Sequence, residues 1–334
     1  MIYREDLGDT LRKDMSENSN SKQMDKSPFL IGVIFTLLGG SLWGFSGTSV
    51  QYLTTEGGAT PALVTFMRVL VGGGILFVFI MATRRNVVVS MIRSKRALVG
   101  IALFALSLYG NQLCYAQTVQ ITNAGTATVL QMLGSVFVML YVCLRESHLP
   151  RLREFFGLLI AIAATALIAT QGDISTLNIP AAGLVWGILA GVTTAFYILV
   201  PKCFGLFDSF GSVSVVGVGM LLSTLFALPG YIVQGGNIAE TISMISGFGI
   251  FEWAVFIFGL VIAGTIGGYG FYLHGVSIVG SVKGSLLGAI EPVSATIIAA
   301  LWLSTSFTIY DIAGMILMCI MVVCISESGG EEPD

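Results

Sequence analysis

Apolar stretches of membrane-crossing length recur along nearly the whole chain, each separated from the next by a short polar or Gly/Pro-rich connection. About 20 apolar residues in a helix rising about 1.5 Å each cross roughly 30 Å of hydrocarbon. The pattern predicts ten spans, at 29–53, 61–83, 97–118, 123–144, 155–171, 181–200, 210–233, 253–275, 281–303 and 309–326. Residues 1–28 are polar and mixed in charge, with a Ser/Asn-rich patch from Ser16 to Ser21, and bury too little apolar surface to fold alone. They are expected to form a disordered cytoplasmic tail. No short apolar run with a small-residue cleavage site marks them as a secretory signal. Residues 327–334 read as a second, acidic cytoplasmic tail.

Basic residues give the spans a direction. Of 16 Lys and Arg, five lie in the N-terminal tail (Arg4, Arg12, Lys13, Lys22, Lys26) and five in the second connection (Arg84, Arg85, Arg93, Lys95, Arg96). Arg145, Arg151 and Arg153 follow in the fourth connection and Lys202 in the sixth. The odd-numbered connections have none. Short cytoplasmic loops collect Lys and Arg, so ten spans with both termini inside put every loop and tail base on one side. Arg68 and Lys283 remain, both within predicted spans.

The chain also repeats itself. Residues 98–170 align without gaps onto 255–327 at a shift of 157, superposing Leu103/Leu260, Gly110/Gly267, Tyr115/Tyr272, Leu130/Leu287, Ser147/Ser304, Glu154/Asp311 and Gly157/Gly314. A shift of 151 lays Gly32 to Val50 over Gly183 to Pro201, matching Gly40/Gly191 and Phe45/Phe196. The expected organisation is a first five-helix repeat over 29–171 and a second over 181–326. An odd number of spans per repeat makes the second copy enter the membrane from the opposite side. The predicted fold class is therefore all-α integral membrane, ten transmembrane helices as two inverted five-helix repeats. Such halves build secondary transporters, which rock about a site near the midplane.

Composition closes off other classes. The chain is 55% hydrophobic and 10% charged, with mean hydropathy +0.88, whereas soluble domains are about 25% charged. No basic footprint for nucleic acid is present. Cys114, Cys143, Cys203, Cys319 and Cys324 lie in or beside spans without metal-type spacing and read as packing residues. No HExxH, paired aspartate or phosphate-binding glycine loop occurs, so neither cofactor nor metal is expected. The expected partners are a small-molecule substrate and the lipid bilayer, with no obligatory protein partner.

Particular residues then point to a family. Gly32 and Trp43-Gly44 in span 1, Arg68 in span 2, Gly157 and Gly314 opening spans 5 and 10, and Leu286-Leu287-Gly288-Ala289-Ile290-Glu291-Pro292-Val293 in span 9 resemble EamA-type members of the drug/metabolite transporter superfamily. The resemblance covers 29–326. It implies ten helices, a central cavity formed mainly by spans 1, 3, 4, 6, 8 and 9, and transport of metabolites or drugs, usually export. Where the family often has Pro in span 4 this chain has Gly134-Ser135, so no proline dictates a kink there. The acid that the family often places just past spans 4 and 9 is shifted to Glu146 in the first copy and absent around Ser304-Thr305 in the second.

An ionisable residue near the bilayer centre costs about 2.5–3.5 kcal/mol on insertion scales and is a functional candidate by default. Glu291 lies halfway along span 9 beside Pro292, whose missing N–H and ring would open the helix locally. It is the candidate coupling or gating carboxylate, through which proton coupling would run; a carboxyl bonded to an adjacent helix is the structural alternative. Lys283, two residues into span 9, either snorkels to the interface or offers charge to a substrate in the inner vestibule. Eight residues hold it about 12 Å from Glu291 along the axis. Because the resemblance makes span 2 peripheral, Arg68 is read as a structural intramembrane charge. Thr128, Gln131 and Ser135 make a polar stripe on span 4, and Asn111, Gln112 and Tyr115 cluster in span 3. With Trp43, Tyr197 and Tyr269 they are candidate cavity residues, although such groups also simply join helices. The glycine-rich segments Gly72-Gly73-Gly74 and Gly264 to Gly270 read as close-packing surfaces or bending points.

Two rival functions remain. Gly44-Phe45-Ser46-Gly47 spells the GxSG of intramembrane serine proteases, but His274 would lie near the cytoplasmic end of span 8 and Ser46 beyond the middle of span 1 toward the outside, too far apart for a hydrogen bond. A passive channel-like facilitator would need no inverted repeat. The expected function is a secondary transporter of amino acids or similar polar or amphipathic solutes, exporting across the cytoplasmic membrane by alternating access.

Overall fold

The computed structural model describes residues 26–147, 149–173 and 178–328. The expected tails fall outside these residues, except that helix already begins at Lys26 and the last helix continues to Ser328. The ten spans are α1 (Lys26–Thr55), α2 (Pro61–Arg93), α3 (Lys95–Ile121), α4 (Ala124–Arg145), α5 (Leu152–Thr170) and α6 (Ala181–Phe204). They continue with α7 (Ser212–Val233), α8 (Ile250–Val279), α9 (Ser281–Gly288 followed by Ile290–Leu303) and α10 (Ile309–Ser328). Among the described residues nine helices are long and apolar enough to cross a membrane, and the apolar part of α10, Ile309–Cys324, is shorter. Large apolar side chains such as Val78, Leu144, Leu225 and Leu301 stand on the outer surface. That is where a bilayer would solvate them.

The packing follows a two-fold relation between the halves. The α3–α6 contact is matched by α8–α1, and α4–α6 by α9–α1, while α2, α4 and α5 each pack on their own counterparts α7, α9 and α10. With five spans per repeat, this makes the halves an inverted pair. Glycines set the close approaches. A Cβ on Gly40 would meet Ile290 at 2.6 Å, and one on the equivalent Gly191 would meet Leu133, the equivalent of Ile290, at 3.0 Å. In lipid no hydrophobic force drives helices together, so small residues that admit backbone contact supply the association.

The acid pair Glu154/Asp311 has a structural cause. Glu154 accepts from the Arg151 backbone N–H at 2.7 Å, and Asp311 accepts from that of Thr308 at 2.8 Å. Each satisfies a donor that a helix start leaves open, and both donors are themselves related by 157.

Three features differ from the sequence reading. The second connection is mostly helix: α2 leaves helical geometry at Arg84 (φ −139°, ψ 35°) and continues to Arg93. Val88 and Met91 bury themselves in a core cluster with Ile101 and Leu206 and hold this extension down. The seventh connection contains a helix at Ile238–Ser246, capped by the Asn237 side chain, whose Met244 and Ile245 pack against the core cluster that holds Leu53, Leu63 and Val119. Finally, two spans widen into π-helix, at Arg68–Gly72 in α2 and Val255–Gly267 in α8. The sequence reading marked the adjoining glycines but not this geometry.

Candidate functional site

A cavity of about 260 Å³ lies among α1, α3, α4, α6, α8 and α9, with contributions from α2 and α10. It is somewhat smaller than typical ligand sites, which run roughly 300–1,000 Å³. Trp43, Asn111, Gln112, Tyr115, Thr128, Gln131, Tyr197 and Tyr269 all line it, as do Glu291 and Arg68.

The cavity sits on the two-fold relation itself. At the shift of 151, Trp43 pairs with Thr194, Ser46 with Tyr197 and Gly47 with Ile198; at 157, Gln112 pairs with Tyr269, Tyr115 with Tyr272, Gln131 with Gly288, Met132 with Ala289 and Ser135 with Pro292. Every one of these residues lines the cavity. The lining is thus symmetric in position and asymmetric in chemistry. The first repeat's α3 and α4 supply amides, whereas the second supplies Tyr269 and Tyr272 against Trp43, at 5.2 and 4.6 Å between ring centroids.

Two helix breaks shape the floor. α4 is interrupted at Met132 (φ −62°, ψ −17°) and α9 at Ala289 (φ −62°, ψ −6°). In each the N–H reaches back three residues, Met132 to the Val129 carbonyl at 3.1 Å while sharing its proton with that of Thr128 at 3.2 Å, and Ala289 to that of Leu286 at 3.2 Å. Tightened turns of this kind mark hinges in otherwise α-helical segments. The expected opening at Pro292 therefore falls three residues earlier, placing Pro292 in the first turn of the new segment, where its missing N–H costs nothing. A matching break exists in α4 without any proline. Glu291, two residues past the break, has no hydrogen-bond or ion-pair partner for its carboxylate among the described residues. Its counterpart Gly134 packs instead on Thr194 and the Gly191 carbonyl.

Arg68 is 7% exposed and opens the π-helical turn of α2. Its Nη2 donates to the Gly264 carbonyl at 3.3 Å and its Nε to Thr265 Oγ1 at 3.4 Å. Trp43 Nε1 donates to the same Gly264 carbonyl at 3.1 Å. Asn111 bonds Thr194 Oγ1 at 2.6 Å, and Tyr115 shares a hydrogen bond of 3.0 Å with Thr128. The Gln112 and Gln131 amides have no protein partner among the described residues. Beyond the cavity toward the 54–60 end, Gln51 accepts from the Ala124 backbone N–H at 2.8 Å and donates to Thr305 Oγ1 at 2.9 Å, joining α1 to α4 and to the connection between α9 and α10.

Other sequence candidates lie elsewhere. Lys283 is not on the cavity: its ammonium stands 4.7 Å from the centre of the exposed Phe29 ring. Ser46 lines the cavity, but its hydroxyl has no hydrogen-bond partner among the described residues. His274 packs edge-on to Phe35, which precedes Ser46 by eleven residues, about 16 Å along α1. Thr194, Ile198 and Tyr272 were not read as cavity residues from sequence, yet the two repeat shifts map Trp43, Gly47 and Tyr115 directly onto them.

A ten-helix inverted-repeat bundle enclosing a cavity with a few polar groups on its two-fold relation defines a multi-pass membrane transporter. The sequence profile described as the EamA-like transporter family matches residues 30–170 and again 181–327, and the chain belongs to that family. It is 30% identical over 296 residues, 88% of this chain and 95% of the relative, to YicL of Salmonella typhimurium, described as an uncharacterized inner membrane transporter. A solved crystal structure at 18% identity aligns with a TM-score of 0.55 over 90% of this chain and 97% of its own, a likeness of fold.

Proposed function

We propose that this chain is a secondary carrier that exports small polar or amphipathic metabolites, amino acids among them, across the cytoplasmic membrane by alternating access. Both termini face the cytoplasm, and the carrier works without an obligatory protein partner. The observation that carries the reading is the repeat-related cavity lining together with the paired breaks at Met132 and Ala289. A site on the two-fold relation, flanked by equivalent hinges, can be exposed to either side by the same motion applied to opposite halves. Glu291 is the coupling or gating carboxylate: it faces the cavity unpaired, among Arg68, Tyr115, Tyr197, Tyr269 and Tyr272.

Counterflow tests the carrier reading. Proteoliposomes preloaded with an unlabelled solute should transiently accumulate the labelled solute above its equilibrium level, across a panel of amino acids, nucleobases and sugars. A carrier produces that overshoot for its substrate. Simple equilibration of solutes would indicate a passive pathway, and no flux for any member of the panel would remove the proposal.

A further inference from the structure

Three cations gather over the last turn of α6 without a counter-charge. α6 packs against both α3 and α4, and a base from each neighbour reaches across to it. Arg96, at the start of α3, donates from Nη2 to the Cys203 carbonyl at 3.4 Å, and Arg145, at the end of α4, donates from Nη1 to Cys203 Sγ at 3.9 Å. Lys202 adjoins Cys203 in α6. All three bases are exposed, and none has an ion-pair partner among the described residues. A guanidinium carries five N–H donors in a planar fork, so one bond to a carbonyl and one to a thiol leave most of both forks unspent. The fold does not require cations here. At the repeat shifts of 157 and 151, the places of Arg96, Arg145, Lys202 and Cys203 are taken in the other half by Trp253, Trp302, Gln51 and Tyr52. There Tyr52 stacks on Trp302 at 5.6 Å between ring centroids, so neutral side chains make the equivalent helix junction. Like charges held together repel, and the cations at this end answer to something other than packing.

We propose that Arg96, Arg145 and Lys202 form a binding site for the phosphate of an anionic phospholipid, whose acyl chains lie along the exposed face of α6. Basic pockets between membrane helices take such headgroups, and guanidinium forks match phosphate oxygens two at a time. The three spans begin or end at this point, the depth at which headgroups sit. Deeper along the same helix faces, Val99 lies one turn from Arg96 and Phe196 two turns from Cys203, and both are exposed apolar side chains. Leu144, beside Arg145, is exposed as well. A soluble phosphate would use the bases and leave this apolar face uncovered, whereas a phospholipid uses both. None of the three bases lines the cavity between the repeats, so the site is separate from it and stands independently of the carrier reading.

The test titrates the purified full chain in neutral detergent with phosphatidylglycerol, phosphatidylcholine or inorganic phosphate and reads thermal stability, since a ligand of the folded state raises it. Phosphatidylglycerol should stabilise at concentrations where the other two do not. Each base near a headgroup contributes roughly fivefold in affinity. The double variant Arg96→Gln, Arg145→Gln should therefore weaken phosphatidylglycerol binding by roughly twentyfold. Arg84→Gln with Arg85→Gln removes as many bases from the same connection and should leave the preference in place, which separates a site from surface charge in general. The wild-type comparison of the two lipids stands even if a variant fails to fold. An equal response to the two lipids, with stabilisation or without it, overturns the inference, as does an equal loss in both double variants. Stabilisation by inorganic phosphate that matches phosphatidylglycerol overturns it too, by assigning the bases to a soluble anion.

Discussion

Met132 and Ala289, separated by 157 residues, end the leading segments of α4 and α9 with the same three-residue turn. Glu291 follows the second turn as Gly134 follows the first, so the repeat places a carboxylate on one side of the two-fold relation and a close helix contact, Gly134 against Thr194, on the other.

The glycine that seats Glu291 is the first point to test. A Cβ on Gly44 would stand 2.8 Å from the Glu291 carbonyl oxygen and 2.7 Å from the Ala295 nitrogen, both backbone atoms that cannot swing aside. Gly44→Ala should therefore push α1 from α9, destabilising the protein by about 1–3 kcal/mol, the range for overpacking. Gly74 has nothing within 4 Å of such a Cβ, and Gly74→Ala should be neutral or slightly stabilising. Thermal unfolding in detergent compares the two. An equal shift in Tm would mean that the α1–α9 approach does not limit stability.

Gln112 and Gln131 separate cavity function from helix joining. Neither amide has a protein partner among the described residues, so Gln112→Ala and Gln131→Ala orphan nothing and should lower substrate affinity by roughly tenfold with folded yield nearly intact. Asn111 bonds Thr194 and reaches the Ala190 carbonyl; Asn111→Ala should cost about 1 kcal/mol of stability as well. Initial transport rates set against detergent-solubilised yield make the comparison. Loss of yield in step with activity for both glutamines would assign them to the scaffold.

How far the sequence reached follows from what each feature depends on. The spans are a property of composition over about 20 residues and the repeat a property of an ungapped register, and both are legible. The polar groups of α3 and α4 stand out as cavity candidates because they cluster on one stretch of each helix, although polar groups there also serve to join helices. Thr194 and Ile198 carry no such signal, one being small and the other apolar, and only the repeat shift reveals them. The α4 break was hidden because no proline marks it; contacts of Gly134 with Thr194 and Gly191 come from another helix altogether. Arg68 reads from the sequence as a structural intramembrane charge; its hydrogen bonds to the Gly264 carbonyl and Thr265 join α2 to α8, and that its long side chain also reaches the cavity from a π-helical turn is a tertiary fact. Lys283 could have pointed either way, and the position of Phe29 across from it is a tertiary fact.

The central claim is that Glu291 couples the rocking of the two halves to proton movement, and one measurement addresses it directly. Purified wild type and Glu291→Gln are reconstituted in parallel, and net flux of a bound substrate driven by an imposed pH gradient is followed alongside substrate exchange at equal pH. Gln preserves the shape of the side chain and its hydrogen bonding but cannot ionise. The account predicts that the wild type concentrates substrate against its gradient, and that Glu291→Gln loses this accumulation while retaining exchange. Gradient-driven accumulation that survives undiminished in Glu291→Gln would contradict it and reduce Glu291 to a packing residue beside Pro292.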